Sequence, residues 1–487
     1  MKSKARQLWH KKSVIAVAVG LVCSHHAMGA GPVAQKALPL VQNARPKTPL
    51  PSGMSVVSGN ANAQQSGNTL TVNNSANAVL NWQQFSVASG HAVHFQQPSA
   101  ASQVLNRVVG QDPSYILGNL SSNGGVWLLN PNGVLFGADA RINVQGLVAS
   151  DLWTTGAGFG GKTTLTSTGN NASFGVINQG NIRTAYGGQV VLAGTSVQNL
   201  GQIHAPGGQA ALLAANAVEL TDTALPYLSF KVPLPSGTAS NSGTVQAQKI
   251  DMYGAVVRQD GLIEANAVSH NELGQVVLSA TESVTVSGIV SASNDQGAGG
   301  SVSVQGNEVV IANGASINAS GATQGGTVAI GVDVAQVLLA DTVQVQAGAA
   351  VRADATSQGK GGRIDINSAT STTVAGNLSA RGGVSGGDGG FIETSSHGSL
   401  TLDGKVDASA PKGKPGQWLL DPTDVTIAAV AGAGVVTTGS IVASLNAGTD
   451  VDIQTTSGGT EQGNITLQDP INVTPSNGPR ETLHNSP

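Results

Sequence analysis

The sequence predicts an all-β protein wound as a parallel β-solenoid, and three observations carry that expectation. Composition is the first: 65 of 487 residues are glycine, 10% are charged, 3% are aromatic and 40% are hydrophobic. A disordered chain would be charged and poor in β-branched residues, whereas here the apolar residues are spread along the whole length. Periodicity is the second. Thr69-Leu70-Thr71-Val72, Ala78-Val79-Leu80-Asn81-Trp82 and Ala92-Val93-His94-Phe95 place apolar residues two apart and then yield to Gly, Asn or Ser. Helical periodicity is hard to find beyond the first 30 residues.

Repetition is the third and decides the architecture. Gly187-Gly188-Gln189-Val190-Val191-Leu192 recurs as Gly207-Gly208-Gln209-Ala210-Ala211-Leu212, and related units begin at Gly274, Gly299, Gly325, Gly361 and Gly389. Each opens on a glycine turn and runs into a short β segment. Second segments such as Ala315-Ser316-Ile317-Asn318-Ala319 and Asn377-Leu378-Ser379-Ala380 lie between them, so one repeat holds two or three strands in about 20 to 36 residues. A unit that small cannot bury its own apolar face and must stack on its neighbours.

Taken in order, residues 1–30 read as a cleaved export signal. Lys2, Lys4, Arg6, Lys11 and Lys12 precede a short apolar core, Ser13 to Val22, and small residues follow at Ala27-Met28-Gly29-Ala30. That core is too short to span a membrane, which needs about 20 residues, and no later stretch supplies a span. Cys23, the single cysteine, lies inside the signal, so no disulfide would staple the exported chain. The bulk of Val22 argues against a lipidated cysteine. Residues 31–52, with Pro32, Pro39, Pro46, Pro49 and Pro51, read as an extended Pro-rich linker.

The strands then lead to Gly125-Val126-Trp127-Leu128-Leu129 and Val134-Leu135-Phe136, which flank Asn130-Pro131-Asn132-Gly133. Asn130 suits position i of a type I turn, Pro131 pre-sets φ at i+1, Asn132 tolerates i+2 and Gly133 suits i+3. Loss of the Asn130 side-chain bond is expected to cost roughly 1 kcal/mol. This stretch, with Ile142-Asn143-Val144-Gln145-Gly146-Leu147-Val148-Ala149-Ser150 after it and Val104-Leu105-Asn106-Arg107-Val108-Val109 and Ser114-Tyr115-Ile116-Leu117-Gly118-Asn119-Leu120 before it, resembles the N-terminal secretion domain of filamentous haemagglutinin-type exoproteins, the passengers of bacterial two-partner secretion.

The resemblance covers roughly residues 50 to 290 and implies a right-handed parallel β-helix with an N-terminal cap. It also implies a non-enzymatic exoprotein of a Gram-negative bacterium, carried through the periplasm and a dedicated outer-membrane transporter of the polypeptide-transport-associated type to the cell surface or medium. Asn130, Pro131, Asn132 and Gly133 would be its secretion motif. The expected organisation is a secretion domain over 53–290, a β-helical extension over 291–420, and a partial further repeat with a polar tail over 421–487. Across the boundary of the last two parts, Gln417-Trp418-Leu419-Leu420-Asp421-Pro422 echoes the earlier motif, while no further coil is expected from about Pro475 onward, as in a truncated product. Val176-Ile177-Asn178-Gln179-Gly180-Asn181 does not match the family's second Asn-Pro-Asn motif.

Chemical sites compete poorly with structural readings. Parallel β-helices also serve as polysaccharide lyases and hydrolases, but Asp333, Asp341, Asp354, Asp365 and Asp388 are spread one per strand or turn and read as solvated carboxylates. A single imperfect Gly-Asp loop, Gly383 to Gly390, reads as a flexible corner, since calcium repeats work by stacking many copies. Gly158 to Thr163 lacks a phosphate loop's first glycine and its following helix. His91 and His94, three apart on an extended segment, point to opposite faces, so no metal site and no cofactor are expected. Trp82, Trp127, Trp153 and Trp418 read as core or end-cap residues. The formal charge of −4 without basic clusters after the signal argues against nucleic acid or an anionic membrane surface as partner. Adhesion through a host receptor or glycan is the leading expectation for the passenger, with haem or haemoprotein acquisition the alternative and a carbohydrate-active enzyme a weaker one.

Overall fold

Short strands that end on glycine and asparagine have to close their backbone hydrogen bonds on other coils, and they do so in three parallel sheets. The computed structural model describes residues 45–154, 156, 159, 161–222, 228–266, 273–332, 338–455, 463–473 and 483–486. The expected export signal, Cys23, most of the Pro-rich segment and Asp333 lie outside the described residues. The first sheet stacks Ala78–Trp82, Gln103–Val108, Gly125–Leu129, Gly146–Ser150 and Gln189–Gly194, and continues to Asp450–Gln454. A second begins with Ser114–Ile116, Val134–Phe136 and Val176–Asn178. The third runs from Thr69–Asn74 through Ala92–Gln96 and Asn119–Ser122 to Lys405–Asp407.

The core is a set of ladders between these sheets. In the third sheet Leu120, Ile142, Ile182, Ile203, Val245 and Ile263 stand in register on successive coils, and each is fully buried. Alternation aims every second residue inward, which is why the apolar period of two was legible. The paired glycines have a packing reason. A Cβ on Gly326 would fall on the Gly300 carbonyl oxygen, and one on Gly362 would fall on that of Gly326. At this corner adjacent coils approach too closely for any side chain.

An N-terminal cap closes one end. Ala61–Ser66 pairs antiparallel with Thr69–Asn74, and Ser55–Ser58 pairs antiparallel with Ala78–Trp82. The last residues of the expected linker belong to this fold: Leu50 is buried, Ser52 N–H donates to the Gln84 carbonyl at 3.0 Å, and Lys47 Nζ reaches Asp112 at 2.6 Å. A second antiparallel sheet lies outside the solenoid. Lys162–Thr166 and Leu228–Pro235 flank the end of the long strand Gln202–Asp222 and cover an apolar outer ladder that includes Leu105, Trp127, Val148 and Val191.

Three late features add to or depart from the expected pattern. A helix, α1 (Thr438–Ala447), replaces a strand in a late coil: Thr437 caps its start, Gly448 closes it at φ 89°, and Ile441 and Leu445 enter the core. It packs against Lys405–Asp407, the last strand of the third sheet, with Ser444 Oγ donating to the Val406 carbonyl at 2.7 Å. The segment beyond Pro475 also adds a strand, since Leu483–Ser486 pairs in parallel with Asp450–Gln454. Backbone donors and acceptors on an open strand edge suffice for that pairing, without apolar alternation. The echo of the opening motif differs too. Asp421 and Pro422 remain inside the strand Gln417–Pro422, so the turn falls after them.

Candidate functional site

Leu129 ends a strand because Pro131 cannot donate to the ladder, and the chain turns from the first sheet into the second over Asn130 to Gly133. Gly133 N–H donates to the Asn130 carbonyl at 2.9 Å, and Asn132 N–H donates to Asn130 Oδ1 at 3.0 Å. Both bonds close the expected turn. Asn130 is nevertheless no local device: it is fully buried, and its Nδ2 donates to the Asp112 carbonyl and to Ser114 Oγ, both at 2.9 Å. Those partners belong to the preceding coil. Asn132 Nδ2 reaches the Gly110 carbonyl there at 3.1 Å. The cost of losing Asn130 therefore exceeds that of one local bond.

The following coil closes over the turn. Asn170 Nδ2 donates to the Pro131 carbonyl at 3.1 Å and to Asn132 Oδ1 at 2.9 Å. Phe174 lies against Gly133, where an added Cβ would come 3.0 Å from its ring, and stacks on Tyr115 with centroids 6.3 Å apart. Beside the turn, Asp151 is buried and accepts from Thr195 N–H, Thr195 Oγ1 and Ser173 Oγ at 2.9, 2.7 and 2.8 Å. Burial pushes its carboxyl above the ordinary value while these donors pull it back. Asn170, Phe174 and Asp151 carried no signal in the sequence, and Ser114 and Tyr115 stood out only as part of the resembling segment, because their relation to the turn exists only once three coils are stacked.

The other singled-out residues stay apart. Asp354 and Asp365 are buried at 4% and 8% exposure, contrary to the solvated reading. Asp354 is held by Arg381 at 3.0 Å; Asp365 shares Arg363 with Glu393 at 2.7 and 3.3 Å. Burial raises both Asp365 and Glu393. Asp341 and Asp388 are exposed, and Asp388 accepts from Lys414 N–H. His94 meets Ser121 and His91 the Ser89 carbonyl, and among the described residues no three His, Cys, Asp or Glu gather as metal ligands. Lys162–Thr166 is a strand, with Lys162 paired to Glu219 at 2.7 Å. Trp82, Trp127 and Trp418 are buried, and Trp153 is half-buried beside Arg107. Asn178, in the segment that lacked the second motif, starts a buried amide ladder: Asn178, Asn199, Asn241 and Gln259 each donate to the next at 2.7, 2.7 and 2.8 Å.

A solenoid with this cap and this turn is the fold of a secreted β-helix domain, and the comparisons name its family. The model of the TPS secretion domain matches residues 47–292. The chain belongs to that family, the two-partner secretion exoproteins, which Gram-negative bacteria export through an outer-membrane partner transporter. It is 34% identical over 234 residues to a heme/hemopexin-binding protein of Haemophilus influenzae, a match that takes in 46% of this chain and 24% of that protein. A second heme/hemopexin-binding protein of Haemophilus influenzae is 42% identical over 73 residues, covering 15% of this chain and 8% of its own length. This chain thus spans about a quarter or less of the length of these relatives. The crystal structure of the HMW1 secretion domain from Haemophilus influenzae is similar at a TM-score of 0.68 and 32% identity, covering 76% of this chain and 100% of that one.

Proposed function

We propose that residues 53–290 form a secretion domain recognised by a transporter of the polypeptide-transport-associated type, and that Asn130-Pro131-Asn132-Gly133 must close for export. The coils over 291–420 and the remainder to 487 then form a non-enzymatic stalk that acts at the cell surface in adhesion. The observation that carries this reading is the buried Asn130, which ties the turn to the coil before it while Asn170 ties it to the coil after. A chain leaving a pore makes few other contacts, so a misplaced turn would misplace the strands on either side.

The test co-expresses the partner transporter with wild type and with Asn130→Ala, compares the protein reaching the medium, and melts each purified protein. Reduced secretion of a chain that still folds is the expected result. Unchanged secretion would remove the export role, and a loss matched by global unfolding would reduce it to a structural one. The names of the relatives favour a second reading, haem or haemoprotein acquisition. Host-cell binding measured beside growth under haem limitation separates the two.

A further inference from the structure

The outer face of the first sheet carries a second ladder, and one position in it breaks the pattern. Val148, Val191, Ala211, Asp251 and Val277 stand in register on successive coils, under or beside the extra-helical sheet. Asp251 puts a carboxylate at 2% exposure into an otherwise apolar row. Burying a carboxylate is costly unless it is paired, and here the partners are modest: Gln209 Nε2 at 2.6 Å and Lys249 Nζ at 3.8 Å. The residue lies where the extra-helical sheet stops, in the wall of a cleft of about 500 Å³.

Three features of that cleft select a ligand. Among the described residues, its lining carries formal charge only at Asp251 and Lys249, so the charges cancel there and neither an anion nor a cation is favoured. Gln209, Lys249, Asp251 and Ser229 bring acceptors and donors together in the lining, a set that matches hydroxyl groups, each of which both donates and accepts. Phe230 and Tyr253 meet edge to face at 5.7 Å and 78°, an apolar corner on which the C–H face of a sugar ring can rest. Burial and the charge of Asp251 push the Tyr253 hydroxyl up to about 12, so it stays a donor at any physiological pH. The volume falls within the range of small-ligand sites.

We propose that this cleft binds an uncharged, hydroxyl-rich ligand, a hexose or short neutral oligosaccharide of a cell-surface glycan. The proposal rests on the surface-binding reading for its biological setting, but not for its test, which needs only the purified chain. Saturation-transfer NMR and calorimetry are run with methyl glycosides of galactose, glucose, mannose and N-acetylglucosamine, with lactose, and with sialyllactose as the charged comparator.

At least one neutral glycoside is expected to bind saturably, with about tenfold weakening in Asp251→Asn and in Phe230→Ala. Asp365→Asn, on a distant coil, is expected to leave binding unchanged. Asp251→Asn keeps the shape of the side chain; should it alter the melting temperature, Phe230→Ala on a half-buried ring carries the same comparison. No neutral glycoside binding at millimolar concentration, binding indifferent to both substitutions, or binding of sialyllactose alone would overturn the proposal. Host-cell adhesion without glycoside binding would sink this site and leave the surface-binding reading standing.

Discussion

Asn130 is the residue on which the largest local effect should be seen. Its buried side chain makes bonds within the turn and to Asp112 and Ser114 of the coil below, the one to Ser114 fully buried and the others partly so. Replacing it by alanine strands the buried Ser114 hydroxyl and several partly buried polar groups, and at about 1–3 kcal/mol for a buried group the loss should be roughly 2–4 kcal/mol. A lowered denaturant midpoint with unchanged slope would measure it; a loss under about 1 kcal/mol would mean that water takes the vacant positions. Gly133→Ala should cost about 1–3 kcal/mol, because φ is 108° there and an added Cβ would press on the Phe174 ring at 3.0 Å. The turn itself was legible, since Asn, Pro, Asn and Gly each have a stereochemical place in it. Its clamp was not: nothing about Asn170 in a Gly-Asn loop predicts that it will meet Pro131 one coil below.

At the scale of elements, strands could be read and the one helix among the described residues could not. Thr437, Gly448 and the pair Ile441 and Leu445 are proper helix signals, but Gly439, two serines and Val442 dilute them, and the preceding Val425-Thr426-Ile427 reads as β. Tertiary packing decides the outcome, with Leu445 buried at 3% exposure. Leu445→Ala should therefore cost about 2–4 kcal/mol, felt locally. Hydrogen exchange should quicken over α1 and Asp450–Gln454 while Arg141–Val144, many coils away, stays protected. Equal quickening at both places would contradict a coil-by-coil stability. The amide ladder from Asn178 to Gln259 was invisible for the same reason as the clamp: four residues far apart in sequence become neighbours only through the stacking period.

For the molecule as a whole, four buried carboxyls share one direction. Asp151, Asp251, Asp365 and Glu393 are all raised, with burial the largest cause in each. A carboxyl that holds its proton more tightly when folded than when unfolded stabilises the fold as protons are supplied. Stability should thus be lowest above these raised values, climb as the pH falls through them, and level off below the ordinary carboxylate range. Melting temperatures between about pH 8 and about pH 4 would check this, and a midpoint that falls steadily with acid would contradict it. The solenoid itself was legible because its repeat is written in glycine: at Gly300, Gly326 and Gly362 the preceding coil leaves no room for anything else.

Asn132 and Gly133 are also, as a dipeptide, the pairing most prone to spontaneous deamidation, in which the glycine nitrogen attacks the asparagine side chain. Here that nitrogen is engaged with the Asn130 carbonyl, while the Asn132 amide is fastened to Gly110 and accepts from Asn170. The closed coils therefore act as a chemical preservative for the turn. A chain held unfolded would age at this position into aspartate and isoaspartate, and the isoaspartate fraction would emerge with an extra methylene in the backbone of the turn.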